Sequence, residues 1–168
     1  ILVVWLFVTI PLRAQDPTRI YLPLLRQPGN AIPHVFGIEM SQLTTDRGLR
    51  LMSVSGTAWV RRNALEWKHI EPRPGGGYVW DHPTTRIIEQ DMVTASQLGV
   101  NLIVVVRGSP RWATTPYTAD CAPINPQHYQ DFARFMAEVV RRYSGHPYHV
   151  RYWEIGNEPE VGLDVYYT

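Results

Sequence analysis

The chain has 168 residues, enough for one domain with a sizeable core. Its composition, 45% hydrophobic and 18% charged, is ordinary for a globular protein. A formal net charge of +1 gives no field that would draw nucleic acid or an anionic membrane, so neither is expected as a partner.

The chain opens on a continuous apolar run, Ile1 to Leu12, too short to span a bilayer, which takes roughly 20 apolar residues. Arg13, Ala14, Gln15 and Asp16 follow. Residues 1–14 therefore read as the apolar core and cleavage site of a signal peptide whose basic start is missing. An uncleaved membrane anchor is the alternative. The expectation is a secreted or extracytoplasmic protein with no stable membrane association after cleavage. Residues 15–33 carry Pro17, Pro23, Pro28 and Pro33, a density that discourages helix and central strand alike, and read as a proline-rich linker. The domain proper is expected over residues 34–168.

Phe36 to Met40 is a short apolar run that predicts a strand. Ser41 to Met52 has helical character through Leu43, Leu49 and Met52, weakened by Gly48. Ala58 to Arg62 reads as a second strand. A long loop follows, with Trp67 and Trp80 as apolar anchors, Glu71 in a Glu-Pro turn, and a turn at Gly75-Gly76-Gly77. Thr84 to Leu98 places Ile87, Ile88, Met92, Ala95 and Leu98 at helical spacing, and Gly99 ends the helix. Asn101 to Val106 is a continuous β-branched run, the pattern of a parallel strand buried on both faces. Asn125, as N-cap, and Pro126 open a helix that runs to about Tyr143 and buries Phe132, Phe135, Met136, Val139 and Val140. Ser144-Gly145-His146-Pro147 stops it, and Val150 to Ile155 is the last strand.

Alternating strands and helices imply parallel strands with helical crossovers. Four strands and three helices, ending just after the fourth strand, correspond to half of a (β/α)8 TIM barrel, which when complete takes about 250 residues. The fold expected is thus α/β, a barrel truncated to roughly its first four βα units. A small doubly wound sheet fits the periodicity too, but no Gly-rich phosphate loop joins a strand to a helix.

The chemistry concentrates in Tyr152 to Glu160, YWEIGNEPE, at the C-terminal end of the fourth strand. Barrel enzymes place their reactive groups on that face. Asn157-Glu158-Pro159 sets an amide beside a carboxylate, and Pro159 biases Glu158 toward extended backbone. A held carboxyl suits glycoside hydrolysis, where the leaving oxygen must be protonated. An adjacent amide can bond a sugar hydroxyl. The six Trp and nine Tyr offer flat faces that suit either sugar rings or core packing.

WEIGNEP resembles the fourth-strand motif of clan A glycoside hydrolases, which include families 5, 39 and 42. LEWKHIEPRPGGGYVWD over Leu65 to Asp81 resembles the clan's second βα loop. VRGSPRWA over Val106 to Ala113 resembles its third strand end, and RFMAEVVRRY over Arg134 to Tyr143 the helix before the motif. The resemblance covers Phe36 to about Glu160 and is nearest to family 39.

It implies that Glu158 is the general acid/base, Asn157 a ligand of the sugar 2-hydroxyl, and the mechanism retaining, with a carbohydrate substrate and no cofactor. Trp112 becomes either a sugar-stacking wall or a loop anchor. Arg61 becomes either a hydrogen-bond donor to the nucleophile or a structural barrel arginine. Glu154 either points into the barrel or pairs with Arg61 or Arg151. Two departures stand out. The clan's nucleophile lies on the seventh strand, which these residues do not reach, so the 168 residues alone are expected to be inactive. Gly156 stands where many clan members have Trp. A non-catalytic carbohydrate-binding protein on the same scaffold is the alternative function.

Other chemistries find little support. The single Cys121 cannot form an intrachain bridge, and no His/Asn signature accompanies it as a nucleophile. His146 and His149 are spaced like a metal pair, but Pro147 lies between them with no carboxylate or Cys cluster nearby, so no metal site is expected.

Overall fold

A computed structural model describes residues 36–114 and 122–157. The expected signal peptide, the linker, Cys121 and everything from Glu158 onward lie outside the described residues. Four strands form one sheet in the order β1-β2-β3-β4, and every neighbouring pair is parallel. They are β1 (Gly37–Glu39), β2 (Trp59–Glu66), β3 (Asn101–Arg107) and β4 (Tyr152–Ile155). The helices are α1 (Leu49–Val54), α2 (Trp67–Ile70), α3 (Pro83–Leu98) and α4 (Tyr129–Tyr143). Sequential order with parallel pairing is the signature of βα units winding one way. Among the described residues no helix is long and apolar enough to cross a membrane.

The core lies between one face of the sheet and the helices. Val60, Leu102, Val104 and Val106 meet Ile88, Met92 and Ala95 of α3 and Phe135, Val139 and Tyr143 of α4 in one buried cluster. Each such aliphatic or aromatic side chain contributes about 1.5–3 kcal/mol by leaving water. Trp67 is also buried there and stacks on Phe135, with ring centroids 5.5 Å apart. Val105, on the other face of β3, is buried as well, so this strand is enclosed on both sides as its composition predicts.

The structure departs from the sequence reading in α4, where Val140 is exposed rather than buried, and at three further places. The single helix expected over Ser41 to Met52 is a 3-10 turn, Thr45–Arg47, followed by α1. Gly48 separates them at φ 91°, a left-handed conformation no continuous helix can contain. The second strand runs on to Glu66 and passes into α2, where a plain loop was expected. In α3, Ile87 and Leu98 are exposed, whereas Thr85, Glu89 and Asp91 are buried.

Those buried charges have partners. Asp91 accepts from Arg62 Nε at 2.5 Å and from the Leu43 amide at 2.8 Å. Glu89 accepts from Arg142 at 2.9 Å and from the Tyr143 hydroxyl at 3.1 Å. Buried charge is tolerated only when paired in this way.

The start of α4 follows expectation. The Asn125 side chain accepts from the Gln127 amide, and Pro126–His128 forms a 3-10 turn ahead of Tyr129.

Candidate active site

Side chains on a strand alternate between faces. On β2, Val60 and Arg62 point to the helices, so Trp59 and Arg61 point to the opposite face. Trp59 meets Tyr152 of β4 there, with ring centroids 4.7 Å apart. Nearer the C-terminal ends of the strands, Arg61 binds three other residues. Its Nε donates to Glu154 Oε2 at 2.9 Å and its Nη2 to Glu154 Oε1 at 2.6 Å, a two-point fork. Nη1 donates to Glu39 Oε2 of β1 at 2.8 Å. Nη2 also donates to Asn157 Oδ1 at 2.7 Å.

The local backbone explains how Asn157 reaches Arg61. The Gly156 amide donates to the Val106 carbonyl at 2.9 Å, extending the β3–β4 ladder by one step. Gly156 then turns the chain at φ 79°, a conformation that side-chain-bearing residues rarely adopt. Gly156 is thus the residue type this exit requires.

The electrostatics follow the fork. The bond to Glu154, more than any other contact, raises the Arg61 pKa further above its ordinary value. Arg61 in turn holds the Glu154 carboxyl below the ordinary glutamate range, against a smaller opposing effect of burial. Of the two partners offered to Glu154 by sequence, Arg61 is the one it takes.

Arg61 and Asn157 are therefore in direct contact, while Trp112 belongs to a separate aromatic cluster. Its indole N–H donates to the Glu71 carbonyl at 3.0 Å. Trp67 and His128 meet its ring edge-on, each at a centroid distance of 5.3 Å. Any sugar contact by Trp112 would use the remaining ring surface rather than the N–H. Glu71 is buried and accepts from Trp67 Nε1 at 2.8 Å, the structural part expected of it. Glu158 follows Asn157 in sequence and lies outside the described residues.

Sequence reasoning overlooked Glu39. Its signal was a carboxylate inside a short strand beside the one that carries Arg61. A hollow of about 210 Å3 lies at the opposite end of the sheet, near Asn101, His149 and Arg151, away from Asn157. Among the described residues no group of three His, Cys, Asp or Glu gathers as a metal site.

No family model matches the chain, and no curated protein matches it. Solved structures do. A family 39 glycoside hydrolase from the gut symbiont Bacteroides cellulosilyticus WH2 superimposes with a TM-score of 0.53 at 23% identity, covering 73% of this chain and 24% of that one. The fold matches part of a TIM-barrel glycoside hydrolase. A polyextremophilic beta-galactosidase from the Antarctic haloarchaeon Halorubrum lacusprofundi matches with a TM-score of 0.51 at 15% identity, over 74% of this chain and 21% of that one. The chain spans about a quarter or less of the length of these proteins. The four parallel strands thus match part of the barrel fold of these structures, and Asn157 lies just past the C-terminal end of β4.

Proposed function

We propose that this chain supplies the first four strands and the general acid/base of an exported, retaining glycoside hydrolase acting on oligo- or polysaccharides. The observation that carries this reading is the Arg61–Asn157 contact at the C-terminal end of the fourth parallel strand, one residue before Glu158, in a glycoside hydrolase-like fold. In this reading the Glu158 carboxyl protonates the leaving glycosidic oxygen. A second carboxylate, from a strand beyond these 168 residues, attacks the anomeric carbon. Glu158 then takes a proton from the water that releases the sugar. Asn157 binds a sugar hydroxyl, Arg61 orders the polar floor of the site, and Trp112 flanks it. Retention requires the two carboxyl groups to lie about 5–5.5 Å apart.

The test is hydrolysis of activated aryl glycosides by the full-length secreted protein. Glu158→Gln should lower turnover of poorly activated substrates by about 10²–10⁴-fold. Azide should partly restore turnover of the activated ones, attacking the anomeric carbon in place of water to give a glycosyl azide. Sugar binding by a wild-type protein that hydrolyses nothing on a broad panel would replace this reading with a non-catalytic carbohydrate-binding role.

A further inference from the structure

We propose that Glu154 is a positioning residue that acts through Arg61 to fix which way round the Asn157 amide is held. A side-chain carboxamide has two orientations of nearly equal shape, with oxygen and nitrogen exchanged. The choice between them decides whether Asn157 offers a donor or an acceptor to a ligand. A guanidinium carries only donors, so the group facing Arg61 Nη2 must be the Asn157 oxygen, at 2.7 Å. The nitrogen of the same amide points the other way. Asn157 is thereby held with its oxygen on Arg61 and its nitrogen, the donor, turned from it.

That orientation is only as firm as the guanidinium itself. Glu154 binds Nε and Nη2 together, which fixes the plane of the guanidinium and directs the second Nη2 hydrogen at Asn157. Glu39 holds the far edge through Nη1. The arginine is thus tied to β1 and β4 from its own strand, β2. Glu154, Glu39 and Asn157 all come to Arg61 on the sheet face away from the helices. Arg62, one residue along, makes the buried structural pair instead.

The catalytic consequence rests on the reading of Asn157 as a sugar ligand, whereas the geometry does not, and one experiment separates the two. In the ¹⁵N-labelled full-length protein, the Asn157 side-chain NH2 signals and the Arg61 Nε–H signal are compared among wild type, Glu154→Ala, Glu154→Gln and Arg61→Ala. The expected result is that Glu154→Ala displaces the Asn157 pair nearly as far as Arg61→Ala does. Glu154→Gln, which keeps one acceptor oxygen of the two, should fall between. An Asn157 pair that stays at its wild-type position in Glu154→Ala, while Arg61 Nε–H moves, overturns the proposal. On an aryl glycoside, Glu154→Ala should lose about tenfold in kcat, the size expected for one misdirected hydrogen bond. A wild type without hydrolysis would defeat the glycosidase reading and leave the spectra to decide the positioning.

Discussion

Arg61 and Arg62 are consecutive residues on one strand, and they do different work. Arg62 points to the helices, where its side chain is 7% exposed and its partner Asp91 3%. Arg61 points to the other face, where it is 24% exposed and shares its donors among Glu154, Glu39 and Asn157. The period-two alternation of a strand separates the two by one residue. One face of this sheet holds the helices to the strands by apolar packing and closed ion pairs. The other gathers polar groups around Arg61. The same residue type thus stabilises the fold or prepares a site, according to the face it occupies.

Substitutions can break or sharpen that contrast. The largest stability effect is expected from Arg62→Ala, at about 3–5 kcal/mol in denaturant unfolding, because it strands the buried Asp91 carboxylate. Replacing both Arg62 and Asp91 by leucine should recover part of that loss, since no unpaired charge then remains but the buried Leu43 amide loses its acceptor. Tyr143→Phe removes one donor from the buried Glu89 while Arg142 stays, and should cost about 1–2 kcal/mol. Burial holds the Tyr143 hydroxyl well above the ordinary tyrosine range, so this bond persists through alkaline conditions in which exposed tyrosines ionise.

The smallest effect on the fold belongs to the site face. Glu154 should titrate below an ordinary glutamate, as followed by its side-chain carboxyl carbon signal. Because its folded-state pKa is depressed, its contribution to stability is present above the unfolded-state value. That contribution is lost as pH falls through the folded one. A Glu154 signal that titrates at or above the ordinary value would mean that the fork to Arg61 is not populated in solution.

Much of this architecture was legible in the sequence. The β3 run Asn101 to Val106 could be read because its apolar run is largely buried, and the α4 span ending at Tyr143 because Phe135 and Val139 are, although Val140 turned out exposed. The first helix was misread because Leu43, Leu49 and Met52 mimic one helical stripe across the left-handed turn at Gly48. The outer face of α3 was misread for a different reason. Periodicity reads Glu89 and Asp91 as solvent residues, and only tertiary partners from α4 and β2 make them core.

The Arg61–Glu154 pair was visible as one of several options, because opposite charges stood on two strands expected in one sheet. Its extension to Glu39 and Asn157 depends on strand register and on the turn at Gly156, which composition does not encode.

The division of labour between the two faces is tested most directly by Arg61→Ala and Arg62→Ala, compared in the same full-length protein for denaturant unfolding and aryl glycoside hydrolysis. Arg61→Ala should lose hydrolysis by about 10²-fold in protein that is still folded. Arg62→Ala should lose stability first, keeping turnover in whatever fraction remains folded. An Arg61→Ala protein that unfolds as readily as Arg62→Ala, or that hydrolyses at the wild-type rate, would contradict the assignment of chemistry to one face and structure to the other.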